Sequence, residues 1–140
     1  MWKRFVDNPV YRWKTNKWSV YNVAYHIIWT PKYRRKVLVW EIEDRLKELL
    51  LEKAKLLGIE IEKMEVMPDH IHLFVKADPT IAPAQIVAQL KWYTAHYLRQ
   101  EFKELKTKLP TLWTRSYYIE TIWHISEDTI KKYIEDQKKV

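Results

Sequence analysis

The chain has no cysteine, which excludes a disulfide framework and any thiolate metal site. It has one glycine, Gly58, so no glycine-rich loop is present to cradle a nucleotide, and no nucleotide cofactor is expected. No run of about 18 apolar residues occurs, which excludes a membrane-spanning helix. The opening stretch Met1-Trp2-Lys3-Arg4-Phe5-Val6-Asp7 lacks the apolar core of a signal peptide. A soluble, cytoplasmic protein with no membrane partner is expected. Asn and Gln are also scarce beside abundant Lys and Glu, a composition that leans towards a hot environment.

What the chain does have is aromatic surface and unevenly placed charge. Its 140 residues suit one domain with a real core. Eight Trp, nine Tyr and three Phe are present, and the net charge is +7. Residues 1–36 hold nine Lys or Arg against one acid, Asp7, while the remaining 104 are nearly balanced. The same quarter carries nine of the rings, including Trp2, Tyr11, Trp13 and Trp18. Cations neutralise phosphates and rings stack on unpaired bases, so this interleaving suits single-stranded nucleic acid. A solvated basic tail with a few docked rings is the plain alternative.

Residues 1–18 read as a basic aromatic arm with little regular structure, and residues 19–140 as a single domain. Val20–Thr30 is rich in β-formers and reads as a first strand. Pro31–Lys36 is a basic loop. Trp40–Leu57 has apolar residues at helical spacing (Ile42, Leu46, Leu49, Leu50, Leu57), and Gly58 stands where a left-handed terminator belongs. Ile59–Met67 alternates as a strand, Pro68-Asp69 turns, and His70–Ala77 is the next strand. Pro83–Leu105 reads as one long helix, Tyr117–Trp123 as a last strand, and Ser126 as the cap of a final helix reaching about Lys139. The order β-α-β-β-α-β plus a helix gives an α+β fold on the ferredoxin-like plan: a four-stranded antiparallel sheet, helices on one face, the other free for a ligand.

His70 and His72 stand at i and i+2 in a strand, so both imidazoles share a face while Ile71, Leu73 and Val75 take the other. That is half of a metal site, although a lone His-x-His more often arises by chance without binding metal. With an even loop at Pro68-Asp69, Glu65 falls opposite His72 and joins the pair as a carboxylate ligand or supporting group. A cross-strand ion pair or a solvated Glu is the alternative. Pro68 cannot take the positive φ of the favoured hairpin turns, so an odd loop would put Glu65 out of register. In the last helix, Tyr133 and Gln137 lie one turn apart on one face. A phenol there can be a nucleophile and an amide oxygen a ligand; on spacing alone a partly packed amphipathic helix is the better fit.

The segment Pro68-Asp69-His70-Ile71-His72-Leu73-Phe74-Val75, followed by Tyr133-x-x-x-Gln137, resembles the single-tyrosine HUH transposases (TnpA type) of small prokaryotic insertion sequences. So do Tyr25-His26-Ile27-Ile28-Trp29 with the basic loop, and Ser126-x-x-Thr129-Ile130-Lys131-Lys132-Tyr133. The likeness covers about residues 19–140, in order; the arm lies outside it, and His124 has no role in it. It implies Mg²⁺ or Mn²⁺ held by His70, His72 and Gln137, with single-stranded DNA as substrate, hairpin ends being expected. Tyr133 on the C-terminal helix is the implied nucleophile, leaving a 5′-phosphotyrosine and a free 3′-OH. A homodimer is implied as well, because two ends must be cut and exchanged. Arg34, Arg35 and Lys36, and Lys131 and Lys132 beside the nucleophile, are candidate DNA contacts. Three rival readings remain: a domesticated enzyme of the same chemistry acting on repeated palindromes, a non-catalytic single-strand-binding module, and a metal hydrolase with water as nucleophile.

Overall fold

The computed structural model describes residues 23–122, the backbone of residues 14, 15, 20 and 21, and Ile134. Two short strands, β1 (Lys14–Thr15) and β2 (Val20–Tyr21), pair antiparallel by themselves. The main sheet contains β3 (Ala24–Trp29), β4 (Glu60–Met67), β5 (His70–Lys76) and β6 (Tyr118–Ile122). Its order is β4-β5-β3-β6, antiparallel throughout. Helices α1 (Trp40–Leu57), α2 (Pro83–Glu101) and α3 (Lys103–Lys108), with a short 3₁₀ turn at Lys32–Arg34, complete the described elements. This is the expected four-stranded α+β architecture.

The core lies between the sheet and the helices. Ile27 and Trp29 of β3 and Ile71, Leu73 and Val75 of β5 meet Leu46, Leu49 and Leu50 of α1 and Ile86, Val87 and Leu90 of α2. Each of these side chains is almost fully buried, and burying one such chain contributes about 1.5–3 kcal/mol. Helix α1 ends where expected. Gly58 has φ +72°, its N–H bonds to Lys55 O at 3.2 Å, and the N–H of Ile59 bonds to Ala54 O at 3.0 Å. Those two bonds satisfy the last carbonyls of the helix in the Schellman pattern.

Beyond one-residue differences at the start of β4 and the end of β5, four features differ from the sequence reading. The first long strand is two pieces: Val20–Tyr21 pairs with Lys14–Thr15, inside the segment expected to be irregular, and the sheet strand starts at Ala24. Strand β4 has a bulge between Ile61 and Lys63. The extra residue shifts parity, so Ile61, Met64 and Val66 all pack inward although strict alternation separates Ile61 from the other two. The long helix breaks at Phe102 (φ −118°, ψ 89°) into α2 and α3. No Pro or Gly marks that break; it comes where Phe102, Leu105 and Leu109 dock on the core. The last strand spans Tyr118–Ile122, starting one residue later than expected. The final helix expected from Ser126 lies outside the described residues, apart from Ile134, which is helical and exposed.

The loop after β3 is held firmly. Lys32 N–H donates to Leu112 O (2.8 Å), Thr114 N–H to Thr30 O (3.1 Å), and Leu38 N–H to Pro68 O (3.0 Å). Tyr33 (φ 59°) and Arg34 (φ 52°) are left-handed in its short 3₁₀ turn. Left-handed backbone at such residues costs about 1–3 kcal/mol and persists only where surrounding structure fixes it.

Candidate active site

Strand parity and register assemble this site. Met67 pairs with His70 and Glu65 with His72, so the Pro68-Asp69 loop has two residues and Glu65 falls opposite His72 as expected. Neither loop residue has positive φ. The turn is braced instead from outside, by the Leu38 N–H on Pro68 O and by Arg34 on Asp69. On the opposite side of the sheet from the helices stand His70, His72 and Phe74 of β5, His26 of β3, Glu65 of β4, and Tyr118 and Glu120 of β6.

His70 and His72 are neighbours, with ring centroids 5.0 Å apart. His70 Nδ1 is 2.7 Å from Asp69 Oδ1. An ionised carboxylate only accepts, so Nδ1 carries the proton and Nε2 of the neutral ring carries a free lone pair. Asp69 also accepts from Arg34 Nε–H at 3.0 Å. The His70 hydrogen bond, with the Arg34 charge adding to it, holds the Asp69 carboxyl below its ordinary range.

His72 is partly buried, and its pKa is pushed down by that burial and by the neighbouring His70 and His26, with Glu65 opposing. A neutral imidazole is the form that ligates a metal. His26 was given no site role by the sequence reading. Its Nε2 is 3.1 Å from His72 Nδ1, and its Nδ1 is 3.0 Å from Glu120 Oε1. Its ring lies flat on Phe74, with centroids 4.4 Å apart and planes 3° apart. Tyr118 Oη–H donates to the other Glu120 oxygen at 2.9 Å. Glu120 is held low by the His26 bond and then by Tyr118, and the same bond raises the Tyr118 phenol. A lone His in an apolar strand carries no motif; only the pairing of β3 beside β5 reveals it.

Glu65 makes an ion pair with Lys63 Nζ at 3.1 Å, the main reason its carboxyl is held low. Among the described residues no three His, Asp or Glu side chains are placed to share one ion. The pair His70–His72 still fits a divalent cation by its donor chemistry: two adjacent imidazoles, one with its outer nitrogen freed by a carboxylate on the inner one. Of the expected DNA contacts, Arg34 is committed to Asp69 but 70% exposed, and Arg35 and Lys36 are exposed. Tyr133, Gln137, Lys131 and Lys132 lie outside the described residues. No described helix is long and apolar enough to cross a membrane.

Residues 19–137 match the family described as "Transposase IS200 like". The ISDra2 transposase TnpA of Deinococcus radiodurans is 42% identical over 126 residues, which span 89% of this chain and 90% of that one. The transposase for insertion sequence element IS200 of Salmonella typhimurium is 28% identical over 123 residues, 84% of this chain and 81% of that one. Among solved structures, a putative transposase from Deinococcus radiodurans superposes with a TM-score of 0.73 at 38% identity, over 89% of this chain and 97% of the other. A REP-associated tyrosine transposase bound to a REP hairpin shares the fold, with a TM-score of 0.57 at 14% identity over 88% of this chain and 67% of that one.

Proposed function

The chain belongs to the IS200-like transposases, and from that membership we propose that it cuts and rejoins single-stranded DNA at insertion-sequence ends through Tyr133. Attack of Tyr133 Oη on the scissile phosphorus forms a phosphotyrosine on the 5′ side and breaks the P–O3′ bond. The phenol loses its proton and the departing 3′ oxygen gains one, so the products are a 5′-phosphotyrosine and a 3′-OH. The link retains the phosphodiester energy, so attack by another 3′-OH reseals the strand without a nucleotide cofactor.

His70 and His72, joined by Gln137 from the last helix, would hold Mg²⁺ or Mn²⁺, with Glu65 contributing its carboxylate to the ion or its hydration shell. When bound, such an ion polarises the phosphate and stabilises charge on the leaving oxygen. Asp69 fixes the His70 ring so that its outer nitrogen can ligate. Arg34, Arg35 and Lys36 flank the strand, Lys131 and Lys132 flank the nucleophile, and residues 1–18 form a further DNA-holding arm. Hairpin ends are the proposed substrate, since a relative of the same fold is bound to a hairpin. One tyrosine holds one end, so exchange calls for a homodimer.

The observation that carries this reading is the adjacent His70–His72 pair on the face opposite the helices, with His70 Nδ1 tied to Asp69. The test is a denaturing gel of full-length protein incubated with labelled single-stranded element ends and Mn²⁺. A protein–DNA adduct is expected, lost with chelator and with Tyr133→Phe. Cleavage without an adduct would instead favour a water-using hydrolase, and binding without cleavage a non-catalytic module.

A further inference from the structure

The hydrogen bonds around His72 form a directed chain. Glu120 can only accept, so the short contact to His26 Nδ1 places a proton on that nitrogen. Neutral His26 then presents a lone pair at Nε2, and the 3.1 Å contact to His72 Nδ1 requires His72 to donate. The proton of neutral His72 is thereby fixed on Nδ1, and its lone pair sits on Nε2. His70 reaches the same arrangement by a shorter route, through Asp69 alone. Two separate carboxylates, Asp69 in the β4–β5 turn and Glu120 on β6, thus leave both outer nitrogens unprotonated.

We propose that His26, held by Glu120, is a positioning residue for His72: it sets the tautomer and ring plane that present His72 Nε2 to a divalent cation. Packing does not account for the choice of residue. The flat stack on Phe74 suits a phenyl ring as well as an imidazole. Only a side chain that accepts at the Nε2 position holds the His72 proton inward. His26 touches neither cation nor DNA in this scheme. Its contribution passes through His72, as carboxylates and carbonyls commonly orient a ligating imidazole from behind.

The inference rests on the metal reading of His70 and His72, and its test separates the two. Nitrogen-15 NMR of the histidine rings is recorded on full-length, metal-free protein, well above the usual histidine pKa. The wild type is expected to show His72 protonated at Nδ1. His26→Phe keeps the stack and removes the acceptor, so the Nε2–H form of His72 should become dominant, and Mn²⁺ affinity read by EPR should fall about 10–100-fold. His26→Gln puts an amide oxygen near the lost Nε2 and should restore both. A wild-type His72 protonated at Nε2 overturns the proposal without any variant. So does a folded His26→Phe protein whose His72 tautomer is unchanged. Failure of the wild type to bind Mn²⁺, with the tautomers switching as described, contradicts the metal reading alone.

Discussion

Replacing Asp69 by Asn tests how the first of the two histidines is held. The native carboxylate accepts from His70 Nδ1–H at 2.7 Å and from Arg34 Nε–H at 3.0 Å. These contacts differ in weight. The His70 bond is short, charge-assisted and partly shielded, whereas Arg34 is 70% exposed. An asparagine is neutral, and its NH₂ can turn towards Nδ1 and favour the Nε2–H tautomer, which cannot ligate through the outer nitrogen. Loss of an orienting carboxylate behind a ligating histidine weakens metal binding about 10–100-fold. Loss of the exposed Arg34 pair alone should weaken it by less than about fivefold. The assay is Mn²⁺ titration of full-length protein by EPR or calorimetry, comparing wild type, Asp69→Asn, Arg34→Ala and His70→Ala. The expected order of affinity is wild type, Arg34→Ala, Asp69→Asn, His70→Ala. Wild-type affinity in a folded Asp69→Asn protein would refute the reasoning, as would a greater loss from Arg34→Ala than from Asp69→Asn.

Three further outcomes concern fold and pH. Gly58→Ala meets no atom within 4 Å of the new Cβ, so only the φ of +72° resists it; urea unfolding should show a loss of about 1–2 kcal/mol. No loss, or a far larger one, would contradict the terminator account. Leu73→Ala, buried among helices and sheet, should cost about 2–5 kcal/mol, whereas Met67→Ala, exposed at the end of β4, should stay within about 1 kcal/mol; equal costs would show that the sheet faces are misassigned. In metal-free protein, stability should fall as pH drops below the ordinary histidine value near 6.5, because His72 is held neutral in the fold and the unfolded chain takes up the extra proton. A second loss should follow below the ordinary carboxylate range, as Asp69, Glu65 and Glu120 are protonated through their lowered folded pKa values. A stability profile flat from neutral pH to pH 5 would contradict the His72 assignment.

Several features were legible because local chemistry and tertiary structure agree on them. Gly58 ends α1 because no other residue type takes its φ so cheaply, and α1 has the bounds its apolar spacing gives. The alternation of Ile71, Leu73 and Val75 with His70 and His72 fixes which face each occupies. The facing of Glu65 and His72 follows from loop length, even though Pro68 excludes the usual turn. The features that escaped depend on contacts far apart in the chain. The bulge after Ile61 and the break at Phe102 carry no Gly or Pro, and both serve packing against elements elsewhere. His26 escaped because it is 46 residues from His72 in sequence and meets it only through the β3–β5 pairing. Glu120 escaped for the same reason, on the other side of β3. The histidine motif marks the proposed ligands; the side chains that orient them leave no comparable local pattern.

The central claim is that Tyr133 carries the covalent chemistry beside the histidine pair. Its most direct measurement is mass spectrometry of proteolysed protein after reaction with single-stranded element ends and Mn²⁺. One modified peptide is expected, with Tyr133 bearing the 5′-phosphate of the downstream DNA, together with an upstream fragment whose 3′-OH a polymerase can extend. A link to another residue, or a tyrosine joined to a 3′-phosphate with a free 5′-OH released, would contradict it.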